Sequence, residues 1–212
     1  MNRISFNNIF DVSQTRKVSI MSNIADSFKQ FYAKDRQTWR KWLAKNHNSS
    51  PGIWLVYYKK DSGKTRVAYA DAVEEALCFG WIDATVRPGD NDHYIQLFTP
   101  RKPKSGWSQI NKGRIERLIN EGLMTDAGQV KIDEAKKNGT WAKLDAVESM
   151  TIPPELEKEF KKSKKVKSFF DSLSKTGKKM VLYRLNAAKR PETKAKRMAE
   201  FIEAAKQQKN AR

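Results

Sequence analysis

The order of apolar and polar residues predicts alternating helices and strands over the first hundred positions. The segment DRQTWRKWLAKNH opens with Asp35 as a candidate N-cap and places Trp39, Trp42 and Leu43 on one helical face. The next apolar segment, IWLVYYKK, is apolar on both alternating faces, which is the pattern of a central strand. After an Asp-Ser-Gly turn, alternation resumes in residues 65–69, so these two segments predict a β-hairpin.

A second helix and a second hairpin follow in the same order. Asp71 opens a helical segment, and residues 81–87 and 92–98 alternate like strands on either side of a Pro-Gly-Asp turn. From about residue 105 onward the spacing is helical and no strand pattern returns. The predicted fold class is α+β, with a mainly antiparallel sheet of about four strands backed by helices and followed by a basic C-terminal helical region.

Helical spacing gives approximate bounds for the later elements. Residues 108–121 predict one helix, and residues 125–138 predict a second that Gly139 closes. Residues 176–188 and 191–206 predict basic amphipathic helices, the last with proline in its first turn. The predicted buried stripe of that last helix is Ala195, Met198, Ala199 and Ile202.

Shifts in composition divide the chain into three segments. In residues 1–21, Asn, Asp and Gln interrupt the apolar positions, and Met21 resembles a second translation start. We therefore interpret this segment as a disordered arm or an over-long start. Residues 22–150 are predicted to form the α+β domain. Pro153 and Pro154 mark the beginning of the basic helical region, taken as residues 151–212.

Charge and cysteine content narrow the class of protein. The chain has 212 residues and a formal charge of +18, from 42 Lys and Arg against 24 Asp and Glu. Residues 151–212 contain 18 of the basic and 7 of the acidic residues, a net charge of +11. The single cysteine allows no intramolecular disulfide, which favours a reducing compartment, and no apolar run approaches the roughly 18 residues of a membrane span. We therefore expect a cytoplasmic protein.

The segment PRKPKSGWSQIN after the second hairpin describes a possible anion-binding corner. Arg101, Lys102 and Lys104 precede a helix whose N-cap is Ser105 or Ser108, and a helix start offers free N–H groups. The alternative is a rigid loop with solvated lysines and a serine that only caps the helix. The candidate ligand-binding residues are Trp81, Asp83, Arg101, Ser105, Trp107 and Asn111.

Asp83, Asn111 and Cys78 are polar or reactive residues whose roles can be weighed from the sequence. Asp83 follows a Trp-Ile pair and serves either in a structural pair with Arg101 or as an acid or base. Asn111 either pins the segment around Trp81 or faces a small polar cavity. Cys78 has no CxxC partner and is interpreted as a small buried hydrophobe.

Several chemistries lack sequence support. The two histidines belong to no metal-ligand spacing, so we expect no metal. The chain contains no GxSxG, Walker A or GxGxxG motif, and we expect no cofactor.

Nucleic acid is an alternative partner for the basic C-terminal region. The segment AKRPETKAKR would bind phosphate nonspecifically at low salt, but it contains no aromatic stacking platform and no known RNA-binding motif. The candidate residues for this contact are Lys189, Arg190, Lys194, Lys196 and Arg197.

A set of motifs resembles a known family. The segments WRKWLAKNH, GIWLVYYKK, ALCFGWID, FTPRKPKSGWSQIN, LINEGLM and AAKRPETKAKRM, spread over residues 28–208, resemble the YdeI/OmpD-associated family, also labelled bacteriocin-protection proteins. The resemblance implies an intracellular α+β protein associated with tolerance of bacteriocins or antimicrobial peptides, and it transfers no catalytic residue. Two positions depart from the family pattern: Ala84 replaces a frequent glycine, and Lys194 replaces a frequent arginine.

The leading functional hypothesis is a non-enzymatic protein associated with stress or bacteriocin tolerance that binds a small anionic ligand or a protein partner. One alternative is a nucleic-acid-associated protein acting through residues 151–212. Another is an enzyme that uses Asp83 and Arg101.

Overall fold

The computed structural model of the protein describes residues 25–207, so the predicted arm at residues 1–21 lies outside the described residues. Two compact units are present. Among the described residues, the first comprises 25–102 together with 117–131, and the second comprises 103–116 together with 132–207. The predicted boundary after residue 150 lies inside the second unit and stays a prediction.

The first unit is built on one four-stranded sheet. Its strands are β1 (Gln30–Tyr32), β2 (Ile53–Tyr58), β3 (Trp81–Pro88) and β4 (His93–Pro100), in the spatial order β1-β2-β4-β3. β1 is parallel to β2, whereas β2 with β4 and β3 with β4 are antiparallel. The predicted α+β class with a mainly antiparallel sheet is confirmed, and so is the hairpin of β3 and β4.

The first predicted hairpin is wrong. Residues 65–69 form no strand; a 3-10 turn at Lys60–Ser62 follows β2, and Val67 donates its N–H to the carbonyl oxygen of Ala33 at 3.0 Å. Both edges of β2 are already occupied, by β1 on one side and β4 on the other. The three-residue strand β1 was not predicted, because so short a segment shows no clear alternation.

Two helices cover one face of this sheet. The first, α1 (Arg36–Asn46), has the predicted N-cap, since Asp35 accepts a hydrogen bond from the N–H of Thr38 at 2.7 Å. The second, α2 (Tyr69–Cys78), begins two residues before the predicted Asp71 and is buried from Ala72 to Cys78. Trp39 joins the two helices by donating from Nε1 to the carbonyl oxygen of Ala72 at 3.0 Å.

Two further helices contribute residues to both units. They are α3 (Gln109–Asn120) and α4 (Asp126–Lys137), each within a residue or two of its predicted bounds. Ser108 is the N-cap of α3, because its Oγ accepts a hydrogen bond from the N–H of Asn111 at 3.3 Å. Gly139 follows α4 with a φ of 77°, as expected for a glycine that ends a helix.

The rest of the second unit, as far as the structure describes it, is a cluster of helices of which the last three are basic. They are α5 (Asp145–Glu148), α6 (Pro154–Lys162), α7 (Lys164–Ser172), α8 (Lys175–Asn186) and α9 (Pro191–Gln207). Their apolar side chains form one core. It consists of Val147, Leu156, Val166, Phe169, Phe170, Leu182, Leu185, Met198, Phe201 and Ala205.

The predicted buried stripe of α9 is partly wrong. Met198 is buried and Ile202 is partly buried, but Ala195 and Ala199 are exposed. The helix instead buries Phe201 and Ala205. The stripe is rotated because the large Phe201 ring packs on Phe169 and Phe170, and this burial outweighs that of alanine methyl groups.

Candidate functional site

One face of the sheet in the first unit carries polar side chains among buried apolar ones. The strand register pairs Tyr57 of β2 with Tyr94 of β4, and Asp83 of β3 with Phe98 of β4. Since side chains alternate along a strand, all four point to the same side of the sheet. This is the side that α1 covers, because the rings of Trp39 and Phe98 lie 5.3 Å apart. We call it the helix-side face.

Two tyrosines and an arginine form the centre of this polar group. Tyr57 is fully buried and its ring stacks on that of Tyr94, with 5.2 Å between centroids and an interplanar angle of 4°. The guanidinium carbon of Arg66 lies 5.5 Å from the Tyr57 ring and 5.7 Å from the Tyr94 ring. Nη1 of Arg66 also donates to the Tyr94 hydroxyl at 2.9 Å. The Arg66 guanidinium therefore lies against both rings.

The Tyr57 hydroxyl is a neutral polar group in the interior. Its oxygen has no hydrogen-bond partner among the described residues. Burial raises the pKa of Tyr57, and the nearby Tyr94, Tyr69 and Asp83 raise it further while Arg66 opposes them. A buried hydroxyl without a partner is costly and marks a place where a bound group would be stabilised.

Asp83 is held by a tyrosine at the start of α2. Tyr69 donates its hydroxyl to Oδ2 of Asp83 at 2.6 Å. The β3–β4 ladder is irregular between Asp83 and Val86, and Nε2 of Gln96 donates to the carbonyl oxygen of Ala84 at 3.1 Å inside this bulge. Bulges redirect side chains at the edges of sheets. Asp83 is half-buried and Tyr69 is exposed, so this part of the face is accessible to solvent.

Arg101 is the buried charge of the region. It follows β4 and is anchored by its backbone N–H, which donates to the carbonyl oxygen of Gly80 at 2.9 Å. Gly80 has a φ of 71°, and a Cβ there would lie 2.9 Å from the carbonyl oxygen of Ala127. The Arg101 residue is only 5% exposed. Desolvation lowers its pKa to about 10, and the negative charge of Asp83 opposes that effect.

These side chains form what we call the phenol–guanidinium site: Tyr57, Arg66, Tyr69, Asp83, Tyr94 and Arg101. It contains two guanidinium groups, three phenols and one carboxylate, so its formal charge is positive. Guanidinium groups match the geometry of carboxylates and phosphates, and phenol hydroxyls donate to the same oxygens. The arrangement is suited to a small anion.

A buried ion-pair network fixes the two helices above the site. Glu75 of α2 is 2% exposed and accepts from Nε of Arg36 and from Nη1 of Arg40, each at 2.6 Å. Glu74 accepts from Nη1 of Arg36 at 3.1 Å and also pairs with Arg117. This network orients α2, whose first residue is the Tyr69 that holds Asp83.

The structure places three of the six predicted ligand residues in the first unit. Asp83 and Arg101 belong to the phenol–guanidinium site. Trp81 is 1% exposed, donates from Nε1 to the carbonyl oxygen of His47 at 3.1 Å and contacts the Trp42 ring edge-on. Trp81 is therefore a core residue that supports the strand rather than a group facing a ligand.

The other three predicted ligand residues lie in the second unit. Ser105 is half-buried, and Trp107 is buried with its ring 5.2 Å from that of Trp141. The Asn111 side chain accepts from Nη1 of Arg114, one turn along α3, at 2.9 Å. These contacts are internal to the second unit, and a ligand role for the three residues stays a prediction.

The predicted nucleic-acid residues divide into two groups. Lys194 pairs with Glu155 at 2.6 Å, and Nη1 of Arg197 donates to the carbonyl oxygen of Arg184 at 2.6 Å. Lys189, Arg190 and Lys196 are exposed. Only the second group faces solvent without an ion pair to a described residue.

Cys78 and His47 lie at the C-terminal ends of the two helices that cover the sheet. Cys78 is fully buried, and burial raises its thiol pKa to about 11, which confirms the small buried hydrophobe. His47 is the C-cap of α1, and its Nδ1 lies 2.9 Å from the carbonyl oxygen of Leu43.

Between residues 25 and 207, His, Cys, Asp and Glu side chains form no group that could hold a metal ion. No helix in the same range has the length and apolar composition needed to cross a bilayer.

Sequence reasoning missed Tyr57, Arg66, Tyr69 and Tyr94. Tyr57 and Tyr94 were assigned to strands by their apolar character, and the sequence alone does not show that two strands pair Tyr against Tyr. Arg66 was assigned to a strand that does not form. The signal available in the sequence was the hydroxyl of Tyr57, a polar group on a strand predicted to be buried on both faces.

Two segments of the chain match two different protein families. Residues 149–208 match the family described as bacteriocin-protection, YdeI or OmpD-associated. This match covers less than a third of the chain. The resemblance expected from the sequence is confirmed here, over a narrower range than residues 28–208. Residues 31–131 match a separate family, a domain of unknown function designated DUF8412. No curated protein and no solved structure matches the chain.

Proposed function

We propose that the protein binds a small anion at the phenol–guanidinium site of its first unit. The observation that carries this proposal is the burial of Arg101, whose charge interacts with Asp83, the same carboxylate that acts on the fully buried hydroxyl of Tyr57. A desolvated guanidinium raises the free energy of the folded state unless nearby negative charge compensates it. An anion bound there would add the compensation that the half-buried Asp83 gives only in part.

The charges and donors of these side chains indicate the chemistry of the ligand. Arg66 and Arg101 supply charge, and the Tyr57 hydroxyl supplies a neutral donor. A carboxylate or phosphate group fits these donors, while Asp83 disfavours a second negative charge next to the first and favours a hydroxyl or ammonium group on the ligand.

The cellular role that we propose is a non-enzymatic, cytoplasmic one in tolerance of bacteriocins or related stress. Its support is the family description that residues 149–208 match. Survival of a deletion strain in the presence of a bacteriocin, complemented by the wild-type chain or by Arg101→Met, tests whether the anion site serves that role. Equal complementation by both chains would show that tolerance does not depend on the anion site.

The direct test is calorimetric titration of the full chain with phosphate, sulfate and acetate at constant physiological ionic strength. Saturable binding is expected for at least one anion, with loss in Arg101→Met. Lys102→Met is the matched control, because it removes the same charge from the adjacent, exposed position. Binding that weakens equally in both variants, or no binding by the wild type, would refute the proposal.

A second variant tests the sign of the electrostatics. Asp83→Asn removes the one carboxylate of the site, so the affinity for an anion is expected to rise. The expected increase is on the order of threefold to tenfold, because Asp83 is half-buried and solvent screens part of its charge. Lower affinity in Asp83→Asn would mean that the carboxylate holds the ligand, which an anion site does not predict.

A further inference from the structure

The surface of the second unit has an excess of cations that its own carboxylates do not balance. The acidic side chains of this region that pair with a cation include Glu148, Glu155, Glu157, Glu159, Asp171 and Glu200. With those pairs formed, Lys189, Arg190 and Lys196 remain exposed and make no ion pair to a described residue. These three lie in the turn between α8 and α9 and in the first turns of α9.

An exposed apolar pair lies on the helix before that turn. Met180 is 47% exposed and Tyr183 is 46% exposed, and both lie on α8 three residues apart, so they share one helix face. Side chains of this size are normally buried when a core is available. The segment 188–197 has no aromatic residue, but Tyr183 supplies one just outside it.

α8 and α9 pack on each other and share one core. Leu182 and Leu185 of α8 and Met198 of α9 point into the same core, so the opposite faces of both helices point to solvent. Arg184 fixes the helices side by side, since its carbonyl oxygen accepts from Arg197 and its guanidinium pairs with Glu200.

The position of Lys196 follows from helix geometry. Arg184 and Arg197 join the two helices, and the preceding residue in each helix, Tyr183 or Lys196, is turned by about 100° from that contact. Both of these residues are exposed. We call the resulting patch of Met180, Tyr183, Lys189, Arg190 and Lys196 the α8–α9 face.

We propose that the α8–α9 face binds single-stranded nucleic acid, with a base stacked on Tyr183 and phosphates contacted by Lys189, Arg190 and Lys196. Charge complementarity supports this partner, since residues 151–212 carry 18 basic and 7 acidic residues. Single-strand binding combines a basic surface with exposed aromatic rings, and it requires no hydrogen-bond code for sequence. An anionic membrane would require a larger apolar face than one Met and one Tyr.

The test measures fluorescence anisotropy of a labelled oligo(dT) with the full chain over a range of salt concentrations. Tyr183→Ala is expected to weaken binding roughly tenfold with an unchanged salt slope, and Tyr183→Phe to retain the affinity. The triple variant K189A/R190A/K196A is expected to lower the slope by about 2, since each phosphate contact contributes roughly 0.7 for single strands.

A matched triple variant distinguishes a defined face from diffuse charge. Lys158, Lys164 and Lys175 are exposed cations of the same unit on α6, α7 and the start of α8, and K158A/K164A/K175A removes the same total charge. This control is expected to have a much smaller effect. Equal losses in the two triple variants would overturn the proposal.

Competing polyanions identify the class of partner. Heparin carries charge without bases, so its binding is expected to be unchanged in Tyr183→Ala. Unchanged oligo(dT) binding in Tyr183→Ala, or tighter binding to phosphatidylserine vesicles than to oligo(dT), would overturn the proposal in favour of charge alone or of a membrane surface. Thermal melts of each variant confirm that folding is retained, which the exposure of all altered residues favours.

Discussion

Replacing Arg101 by methionine is expected to stabilise the protein in the absence of ligand while abolishing anion binding. Arg101 is 5% exposed, and burial lowers its pKa from 12.5 to about 10. A base whose pKa is lower in the folded state disfavours folding at every pH where the unfolded chain keeps it protonated. Methionine has similar length and no charge, so it fills the space without the desolvation cost.

The magnitude follows from the two pKa values. At about 1.4 kcal/mol per pH unit of pKa difference, the charged guanidinium costs roughly 3 kcal/mol of folding free energy at neutral pH. The guanidinium also packs and makes polar contacts that methionine loses. Replacement of buried charges by apolar residues is stabilising by about 1–4 kcal/mol in other proteins, so a net gain of roughly 1–2 kcal/mol is expected for Arg101→Met.

The pH dependence gives an independent check. The cost is present at every pH at which Arg101 stays protonated, and a guanidinium stays protonated throughout the range in which the protein is folded. The stability advantage of Arg101→Met over the wild type should therefore be the same at every pH in that range.

Urea unfolding of the full chain at pH 7 measures the change, with Lys102→Met as the exposed control that is expected to alter stability by less than about 0.5 kcal/mol. Hydrogen exchange of β2 and β4 amides assigns the change to the first unit, since two units can unfold separately. A loss of 1 kcal/mol or more in Arg101→Met would refute the reasoning, because it would show that the guanidinium stabilises the fold.

Three further predictions concern the scaffold around the site. Gly80→Ala is expected to destabilise the first unit by roughly 2 kcal/mol or more, measured by thermal unfolding, because the position requires positive φ and offers no room for a Cβ. Glu75→Gln should cost about 1–3 kcal/mol, because two guanidinium groups lose their buried carboxylate while Arg36 keeps its pairs with Asp71 and Glu74; Asp171→Asn breaks an exposed pair and should cost less than about 1 kcal/mol. Cys78 should react with iodoacetamide at pH 8 only as fast as the protein opens, since its thiol is buried with a pKa of about 11; rapid labelling of the native protein would contradict this.

Local signals predicted most elements of the fold. The N-cap at Asp35, the β3–β4 hairpin and the glycine after α4 depend on neighbouring residues, so the sequence was sufficient for them. The false hairpin after β2 shows where such signals fail. Alternation in residues 65–69 is compatible with a strand, but the partner of β2 was decided by non-local pairing with β4 and by the short strand β1.

The candidate site was predicted only in part for a related reason. Asp83 and Arg101 were selected because charged residues stand out near apolar strands. Tyr57 and Tyr94 did not stand out, because tyrosine suits a strand whether or not its hydroxyl has a function. Their cross-strand stacking and the contact with Arg66 join three segments that are distant in the sequence, so only the folded structure shows them together.

Ionic strength separates the two binding activities that we propose. Arg101 is buried beside a low-dielectric interior, and solvent ions screen such a charge weakly. The cations of the α8–α9 face are exposed, and their phosphate contacts release counterions, so their affinity falls steeply with salt. A titration with phosphate and one with oligo(dT), each repeated at low and physiological salt, should therefore respond differently within the same chain. A phosphate affinity that declines with salt as steeply as the oligo(dT) affinity would place the anion on the exposed basic surface and not at Arg101.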